Sequence, residues 1–260
     1  MKNAIPAVLL AGGLGTRMRE ETEYRPKPMV EIGGQPVLWH IMKNLSSANI
    51  SEFVVCTGYK GQQIKDYFLN YHTSNHDFTV QLNQHSDIII HKDEPLENWA
   101  VTVADTGQNT MTGGRVNKIR KYVEGRRFLV TYGDGLADVD LDELLKFHEN
   151  HGRIATVSTV RPMSRFGIMD IDPDGTVKKF REKPQVDDWV NIGFFIFEAD
   201  IFEYLTDDCI LEREPLEALA RKGELRAFQH QGFWQPMDTY RESLMLNELW
   251  DNNSAPWKTW

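Results

Sequence analysis

The chain reads Ile5-Pro6-Ala7-Val8-Leu9-Leu10-Ala11-Gly12-Gly13-Leu14-Gly15-Thr16-Arg17, an apolar run that leads directly into a glycine-rich loop. Short apolar runs rich in Val, Ile and Phe alternate with longer amphipathic stretches through the first half of the sequence. This alternation is typical of strand-helix-strand units on a parallel sheet. The sequence therefore predicts an α/β fold with a mixed, mostly parallel central sheet and helices on both faces.

The expected elements can be placed along the chain. Strands are expected at 5–10, 53–57, 101–104 and 128–132, and helices at 36–45, 62–71, 115–123 and 141–148. Further strand-like runs at 154–160, 167–171, 176–180 and 193–197 predict antiparallel additions to the sheet, with a hairpin turn at 172–175. Helices are expected at 214–221 and 239–250. Because no linker or repeat is visible, we expect one domain over 1–260.

The composition is that of an ordinary globular protein of 260 residues, with 41% hydrophobic and 26% charged residues. It excludes a disordered, collagen-like or coiled-coil chain. The net charge of -9 is a poor match for a polyanion held by many phosphate contacts, so no nucleic acid is expected as a partner. The two cysteines, Cys56 and Cys209, form neither a disulfide framework nor a metal motif. No window is apolar enough for a membrane span, and we expect a cytoplasmic protein without a membrane partner.

The glycine-rich loop predicts a phosphate site. Its glycines permit positive φ and leave successive backbone amides open to an anion, while Thr16 adds a hydroxyl and Arg17 a fixed cation. A dinucleotide fingerprint would need glycine where Met18 stands, and no Gly-Lys-Ser/Thr sequence follows to complete a P-loop. A dinucleotide oxidoreductase is therefore disfavoured. A tight turn without a ligand is the alternative interpretation of the loop.

Three further residues are candidates for phosphate and metal chemistry. Lys27 projects from the stiff Pro26-Lys27-Pro28 segment and would suit a triphosphate, unless it belongs to an ordinary surface loop. Asp134 stands between two glycines after a predicted strand, where open parallel sheets collect ligands such as Mg²⁺. An Asp-Gly turn is the alternative there. Asp238 is a second candidate ligand if Thr239, rather than Asp238, caps the helix that follows.

Two other motifs favour sugar-phosphate or nucleotide contacts. Glu182 and Lys183 end a predicted strand and Asn191 starts the next, which offers a cation for a phosphate and an amide for hydroxyl groups. Solvated charges at a strand end would explain them too. The segment Thr112-Gly113-Gly114-Arg115 opens an amphipathic stretch whose free N–H groups could meet an anion or a base edge. A helix-entry turn is the alternative.

These motifs together resemble the sugar-1-phosphate nucleotidylyltransferases, and within that superfamily the glucose-1-phosphate cytidylyltransferases. The resemblance covers essentially the whole chain and is carried by residues 10–17, 26–34, 132–135, 182–184 and 233–239. Residues 101–102, 105–107, 111–115 and 234–239 point to the cytidylyl branch. The resemblance implies a Rossmann-like fold of the nucleotide-diphospho-sugar transferase type. About 1–150 would be the nucleotide-binding half, and about 151–260 the sugar-binding half with an oligomer or tail segment.

The resemblance also implies roles for individual residues. The nucleotide is expected to contact Leu10, Ala11, Gly12, Gly13, Leu14, Gly15, Thr16, Thr110, Arg115 and Gly133. Asp134 and Asp238 are expected to hold Mg²⁺, and Glu182 and Asn191 to face the sugar phosphate. The implied catalytic cations are Arg17, Lys27 and Lys183. The implied substrates are CTP and glucose 1-phosphate, with pyrophosphate released, and the implied assembly is a homo-oligomer, commonly a hexamer.

Two positions depart from the pattern of the family. Ile168 and Ile192 stand where small residues are expected near the sugar, so the sugar identity stays open. A uridylyl- or thymidylyltransferase on the same scaffold is one alternative function, and a catalytically silent regulatory subunit is another. Trp250, Trp257 and Trp260 make the end of the sequence apolar, which predicts packing either on its own subunit or on an oligomer partner.

Overall fold

A sheet of seven strands lies at the centre of the computed structural model, which describes residues 5–82, 87–91 and 97–260. The strands of these residues are β1 (Ala7–Ala11), β2 (Glu31–Ile32), β3 (Gln35–Pro36), β4 (Glu52–Thr57), β5 (Asp77–Val80), β6 (Ile88–His91), β7 (Ala100–Asp105), β8 (Phe128–Tyr132), β9 (Gly135–Ala137), β10 (Ala155–Val160), β11 (Ile168–Ile171), β12 (Val177–Arg181), β13 (Val190–Phe197), β14 (Leu225–Gln229) and β15 (Trp234–Pro236). The helices are α1 (Arg19–Thr22), α2 (Val37–Ser47), α3 (Gly61–Leu69), α4 (Tyr71–Asn75), α5 (Thr112–Lys118), α6 (Arg120–Val123), α7 (Leu141–His151), α8 (Glu214–Arg221) and α9 (Tyr240–Asp251). Short 3₁₀ helices span Thr16–Met18, Lys27–Met29 and Ala199–Glu203.

The central sheet has the strand order β14-β10-β13-β8-β1-β4-β7. Strands β8, β1, β4 and β7 pair in parallel, as do β10 and β14 at the other edge. Within this sheet only β13 runs antiparallel to its neighbours, β8 and β10. The predicted mixed, mostly parallel sheet is confirmed. The antiparallel additions are β13 and the separate hairpin of β11 and β12. Strands β10 and β14 lie beyond β13 and run in the same direction as β8 and β1.

Apolar side chains cover both faces of the sheet. Alternate residues of β1 point to opposite sides, so that Ala7 and Leu9 join a buried cluster with α2, α7 and α9, while Val8 and Leu10 join another with α5, α6 and α8. A strand covered on both faces needs an uninterrupted apolar sequence, which is what 7–11 supplies. Each large apolar side chain fully removed from water contributes about 1.5–3 kcal/mol. The helices are therefore held on both faces, as predicted.

Strand addition changes direction at β1. Strands β4 and β7 are added on one side of β1, and β8 pairs with its other side. The segments that leave the carboxyl ends of β1 and β8 therefore diverge and open a crevice, the usual place for a ligand in an open α/β sheet. The glycine loop at 12–15 leaves β1, and Gly133 and Asp134 leave β8. Sequence and topology thus bring two of the predicted motifs to one place.

Helix ends follow local capping chemistry. The carboxylate of Asp140 accepts a hydrogen bond from the N–H of Glu143 at 2.9 Å and so caps α7. Gly152, with φ of +57°, ends α7 beyond the predicted limit at residue 148. The predicted helices 62–71 and 115–123 are each divided, into α3 and α4 and into α5 and α6. None of the described helices is long and apolar enough to cross a membrane.

The sequence predicts one of two hairpins and not the other. The turn at 172–175 is confirmed, with the N–H of Gly175 donating to the carbonyl of Asp172 at 2.9 Å. The hairpin of β5 and β6 is not predicted by the sequence pattern. Strand β5 alternates polar and apolar residues over only four positions and is exposed throughout, Phe78 included. Strand β6 has three consecutive isoleucines, of which Ile88 and Ile89 are exposed, and so lacks the alternation that marks a half-buried strand.

The apolar end of the chain packs on its own subunit. Trp257 is fully buried, and its carbonyl accepts a hydrogen bond from Asn44 Nδ2 at 3.0 Å. Trp250 lies edge-on to the imidazole of His40, with 4.6 Å between the ring centroids. Of the two interpretations of this segment, intramolecular packing is confirmed by these contacts with α2.

Candidate active site

One ammonium group joins the two acids that the sequence singles out as metal ligands. Lys27 Nζ donates to Asp134 Oδ2 at 2.6 Å and to Asp238 Oδ1 at 2.5 Å. The two acceptor oxygens therefore lie no farther apart than the sum of these distances. Arg17 Nη1 donates to the other oxygen of Asp238, Oδ2, at 2.6 Å. Two cations and two carboxylates thus meet at the carboxyl edge of the sheet.

A short antiparallel ladder holds the two acids side by side. Strand β9 follows Asp134 directly and pairs with β15, so that Gly135 lies opposite Pro236. One residue farther on, the N–H of Met237 donates to the carbonyl of Asp134 at 2.9 Å. The side chain of Met237 is fully buried. Asp238 is therefore placed by backbone pairing and by a core anchor.

Asp238 is not the cap of helix α9. The hydroxyl of Thr239 accepts from the N–H of Glu242 at 3.3 Å, and Glu242 Oε2 accepts from the N–H of Thr239 at 2.8 Å. The same carboxylate oxygen accepts from the N–H of Asp238 at 2.8 Å. The predicted capping box is confirmed. The side chain of Asp238 is left to face the cations.

The charges of the cluster stabilise the ionised forms of Asp238 and Lys27. Burial would raise the pKa of Asp238, but the hydrogen bond and charge of Lys27, with the charge of Arg17, lower it below its ordinary value. Burial likewise opposes the charge of Lys27, yet Asp134 and Asp238 together raise its pKa. Asp238 therefore offers an ionised carboxylate across the neutral pH range.

This donor set fits Mg²⁺. The ion prefers oxygen ligands and is commonly held by one or two carboxylates, with phosphate oxygens and waters completing its shell. Asp134 and Asp238 supply two carboxylates that already converge on a cation. No group of three or more His, Cys, Asp or Glu side chains in the described part of the chain could hold a metal. The remaining ligands would come from substrate and water.

The glycine loop turns a carbonyl oxygen into the protein. Gly12 O accepts from Arg115 Nη2 at 2.9 Å. Because C=O and N–H point in opposite directions across a planar trans peptide, the N–H of Gly13 faces away from Arg115, toward the crevice. Gly15 has φ of +63°, and a Cβ there would lie 2.6 Å from the methyl group of Thr22. The loop conformation therefore requires glycine at position 15.

Arg115 lies beneath that loop and is only 4% exposed. Its Nη1 donates to the carbonyls of Thr57 and Gly107, each at 2.9 Å, and to the hydroxyl of Thr106 at 2.6 Å. A Cβ on Gly12 would lie 2.1 Å from Nη1. Burial lowers the pKa of the guanidinium. The structure thus makes Arg115 a brace under the loop, and its implied contact with the nucleotide stays a prediction.

A cavity of about 540 Å³ brings most of the predicted nucleotide-binding residues together. The predicted residues on its wall are Leu10, Ala11, Gly12, Gly13, Gly15, Thr16, Arg17, Lys27, Thr110, Arg115, Gly133, Asp134 and Asp238. Leu14 lies outside this wall, and the residue is 49% exposed. Met111, Tyr132 and Trp234 also line the cavity. All three belong to motifs that carry the family resemblance, but the sequence analysis assigns none of them a role in the site.

A second groove, of about 1420 Å³, adjoins the cavity and shares Trp234 and Pro236 with it. Lys183 and Asn191 lie on its wall, and their expected contact with the sugar phosphate stays a prediction. Lys183 has φ of +44°, in the left-handed region that non-glycine residues rarely adopt. Such strain persists where the surrounding fold imposes it, often at ligand sites. Glu182 is exposed and lies outside this wall.

The two unexpected isoleucines do not have the same surroundings. Ile192 is 2% exposed and belongs to the buried core. Side chains alternate along a strand, so Ile192 and Asn191 point to opposite faces of β13. Ile168 is half-buried on β11, opposite Arg181. The departure at Ile192 therefore concerns the core and not the groove wall.

Comparison with known proteins agrees with the predicted family and with the fold. The family model for nucleotidyl transferases matches residues 6–230, so the chain belongs to the nucleotidyl transferase family. It is similar to glucose-1-phosphate cytidylyltransferase of Salmonella typhi, with 49% identity over 98% of this chain and 99% of that protein. A probable glucose-1-phosphate cytidylyltransferase of Bacillus subtilis is 41% identical over 98% of this chain and 99% of its own length. The crystal structure of HddC from Yersinia pseudotuberculosis matches with a TM-score of 0.70 and 25% identity, covering 95% of this chain and 99% of that one. The resemblance drawn from the sequence motifs is confirmed.

Proposed function

We propose that the chain transfers the CMP group of CTP to α-D-glucose 1-phosphate, giving CDP-glucose and pyrophosphate. The observation that carries the proposal is the convergence of Asp134 and Asp238 on Lys27 beside the glycine loop. Similarity to glucose-1-phosphate cytidylyltransferases over nearly the whole chain supports the choice of nucleotide and sugar.

The proposed reaction is a direct displacement at phosphorus. An oxygen of the sugar phosphate attacks the α-phosphorus of CTP and forms a new P–O bond. The bond from the α-phosphorus to the oxygen that bridges it to the β-phosphorus breaks, and pyrophosphate leaves with that electron pair. The attacking oxygen is already ionised at neutral pH, so no general base is required. The protein's part is positioning and charge stabilisation.

Different residues of the site would perform the positioning and the charge stabilisation. The backbone N–H groups of the glycine loop, with Thr16, would bind the phosphate chain, and Arg17 would stabilise the charge that develops on the leaving pyrophosphate. Lys183 would orient the sugar phosphate from the adjoining groove. Mg²⁺, held by Asp134 and Asp238, would supply charge neutralisation at the reacting phosphates. Lys27 would keep the two acids together until the ion and the nucleotide bind.

A nucleotide-selectivity assay tests this function. Pyrophosphate release is measured with glucose 1-phosphate and each of CTP, UTP, dTTP and ATP in the presence of MgCl₂. The highest kcat/KM is expected with CTP. A higher value with UTP or dTTP would replace the cytidylyl assignment by the uridylyl or thymidylyl alternative, and no release with any nucleotide would contradict an enzymatic role. Replacing glucose 1-phosphate by mannose or galactose 1-phosphate tests the sugar in the same assay.

We also propose that one domain spans 1–260 and that its two halves share the site. About 1–150 would bind the nucleotide and about 151–260 the sugar, a division that the meeting of Asp134 with Asp238 supports. The proposed assembly is a cytoplasmic homo-oligomer, a hexamer by family resemblance. Exposed apolar side chains at Phe78, Ile88 and Ile89 support self-association. Light scattering tests the assembly, and the mass of a single subunit would refute it.

A further inference from the structure

A carboxylate outside the predicted set of site residues connects the proposed nucleotide cavity with the proposed sugar groove through hydrogen bonds. Glu212 lies half-buried in the segment before α8. One of its oxygens accepts from Thr112 Oγ1 at 2.6 Å, and the other accepts from the hydroxyl of Tyr132. Thr112 and Tyr132 line the nucleotide cavity. The hydroxyl of Tyr132 also lies 3.3 Å from Nδ2 of Asn191, on the wall of the adjoining groove.

The segment that carries Glu212 is fixed against the start of α5. The N–H of Gly114 donates to the carbonyl of Cys209 at 3.1 Å, and the N–H of Leu211 donates to Thr112 Oγ1 at 3.0 Å. A Cβ on Gly113 would lie 2.4 Å from the sulfur of Cys209. Leu211 is fully buried. The glycine pair of α5 therefore permits close packing, and this packing sets the position of Glu212.

The direction of each hydrogen bond in this chain of groups is determined. An ionised carboxylate only accepts, so the hydroxyl of Tyr132 donates its proton to Glu212. Burial, followed by the charge of Glu212, raises the pKa of Tyr132, which keeps that proton on the phenol. The oxygen of Tyr132 is then left to accept from Asn191 Nδ2. At the other end of the same amide, Oδ1 of Asn191 accepts from the N–H of Gly193 at 2.8 Å.

We propose that Glu212 is a positioning residue for sugar recognition: through the hydroxyl of Tyr132 it fixes the orientation of the Asn191 amide. The remaining N–H and oxygen lone pair of Asn191 are then presented to the hydroxyl groups of a hexose 1-phosphate. This inference rests on the proposed function, because it takes the groove lined by Asn191 as the sugar site. Gly193 completes the arrangement, since a Cβ there would lie 2.2 Å from the ring of Tyr132.

The decisive variant is Glu212→Gln. Its amide oxygen can still accept from Thr112, but its NH₂ group would donate to the Tyr132 hydroxyl and reverse that group, so that two donors would face each other at Asn191 Nδ2. We expect the KM for glucose 1-phosphate to rise about tenfold, in line with a lost buried hydrogen bond, while the KM for CTP stays within about twofold. Glu214→Gln is the matched control, because Glu214 is exposed at the start of α8.

Tyr132→Phe keeps the proposal testable if Glu212→Gln does not fold. It is expected to raise the same KM by a similar factor, and the double variant is expected to add nothing further, because both changes break one chain of hydrogen bonds. A role limited to stability would lower the melting temperature without this selective change in KM. Additive effects of the two variants, or an unchanged KM for glucose 1-phosphate in both, would overturn the proposal.

Asn191→Ala separates this inference from the proposed function. If Asn191→Ala raises the KM for glucose 1-phosphate and Glu212→Gln does not, the role of Glu212 is refuted and the sugar site stands. If Asn191→Ala leaves that KM unchanged, the groove is not the sugar site and the role of Glu212 is refuted with it. If the wild-type protein releases no pyrophosphate from CTP, the proposed function itself fails. A calorimetric titration of glucose 1-phosphate into wild type and Glu212→Gln then decides the positioning role, with equal affinities refuting it.

Discussion

The N–H of Met237 donates to the carbonyl oxygen of Asp134 at 2.9 Å. This single backbone bond continues the pairing of β9 with β15 and sets Asp238 beside Asp134. Asp134 precedes β9 and Asp238 follows β15, so the distance between the two acids depends on the pairing of these strands and on the buried side chain of Met237. The structure therefore holds two like charges together by backbone pairing, and balances them with the charges of Lys27 and Arg17.

Replacing either acid by its amide tests the metal site. We expect Asp134→Asn and Asp238→Asn each to lower kcat at least about 100-fold, because charge stabilisation at the transferring phosphoryl group is lost. The measurement is pyrophosphate release over a range of MgCl₂ concentrations, with EDTA as the metal-free reference. Asp251→Asn, at the exposed end of α9, is the control. Full activity of either variant, or of the wild type in EDTA, would contradict the assignment.

Replacing Lys27 should make stability depend on Mg²⁺. In Lys27→Met the partly buried carboxylates of Asp134 and Asp238 lose their shared cation and repel each other, so the melting temperature without metal should fall. Added Mg²⁺ should restore it, and should raise it more than in the wild type, where the ion must displace the ammonium. Thermal unfolding with and without MgCl₂ measures both effects. Lys43→Met removes a lysine that pairs with a single carboxylate, Glu97, and should show no such metal dependence.

The brace under the glycine loop predicts a nucleotide-binding defect. Arg115→Lys keeps the charge but cannot reach all the carbonyl oxygens that the guanidinium holds, so the loop should lose its fixed shape. We expect the KM for CTP to rise about tenfold or more. Steady-state kinetics with CTP varied at saturating glucose 1-phosphate measures this. Arg221→Lys, on the exposed face of α8, should leave the KM unchanged. The same KM for Arg115→Lys and wild type would show that the brace is dispensable.

The C-terminal packing predicts a dependence of stability on pH. Burial lowers the pKa of His40 to about 4. Its Nε2 contacts the carbonyl of Ile32 at 2.8 Å, and its Nδ1 accepts from Trp257 Nε1 at 3.4 Å, so the neutral ring fits and a second proton does not. Between about pH 6.5 and 4 the unfolded chain binds a proton that the folded chain excludes. The free energy of unfolding should therefore fall as pH drops through this range, by about 2–3 kcal/mol at most from His40.

Denaturant unfolding at several pH values measures this loss. His40→Gln can keep both hydrogen bonds without titrating, and it should flatten the dependence on pH between about 6.5 and 4. His72→Gln, on the exposed surface of α4, is the control. An unchanged slope in His40→Gln would show that His40 does not carry the effect.

Local pattern predicted the elements whose sequence is unambiguous. The strand at 128–132 and the helix at 214–221 have the predicted bounds, because an unbroken apolar run and an amphipathic stretch with Pro215 near its start each specify one structure. The divided helices and the hairpin of β5 and β6 were beyond such reasoning. The helices break at single residues, Asn70 and Ile119, which apolar periodicity does not locate, and the hairpin of β5 and β6 is exposed along most of its length.

Two side-chain roles show the same limit within the site. The sequence marks Arg115 as a candidate because it follows Gly113 and Gly114. Its position beneath Gly12, however, depends on the pairing of β1 with β4 and of β4 with β7. Glu212 belongs to none of the motifs that the sequence analysis identifies. Only the docking of its segment on α5 brings it to Thr112 and Tyr132.

The sequence by itself determined the α/β class, the glycine-rich loop that we expect to bind phosphate, the capping box that leaves the side chain of Asp238 free of the helix cap, and the candidate acids and cations. These follow from covalent neighbours and from periodicity, which act over a few residues. Only the tertiary structure decided that Lys27 joins the acids, that Arg115 braces the loop, and that the apolar end packs on α2. Each of these contacts joins residues distant in the chain, and strand pairing and burial decide which distant groups meet.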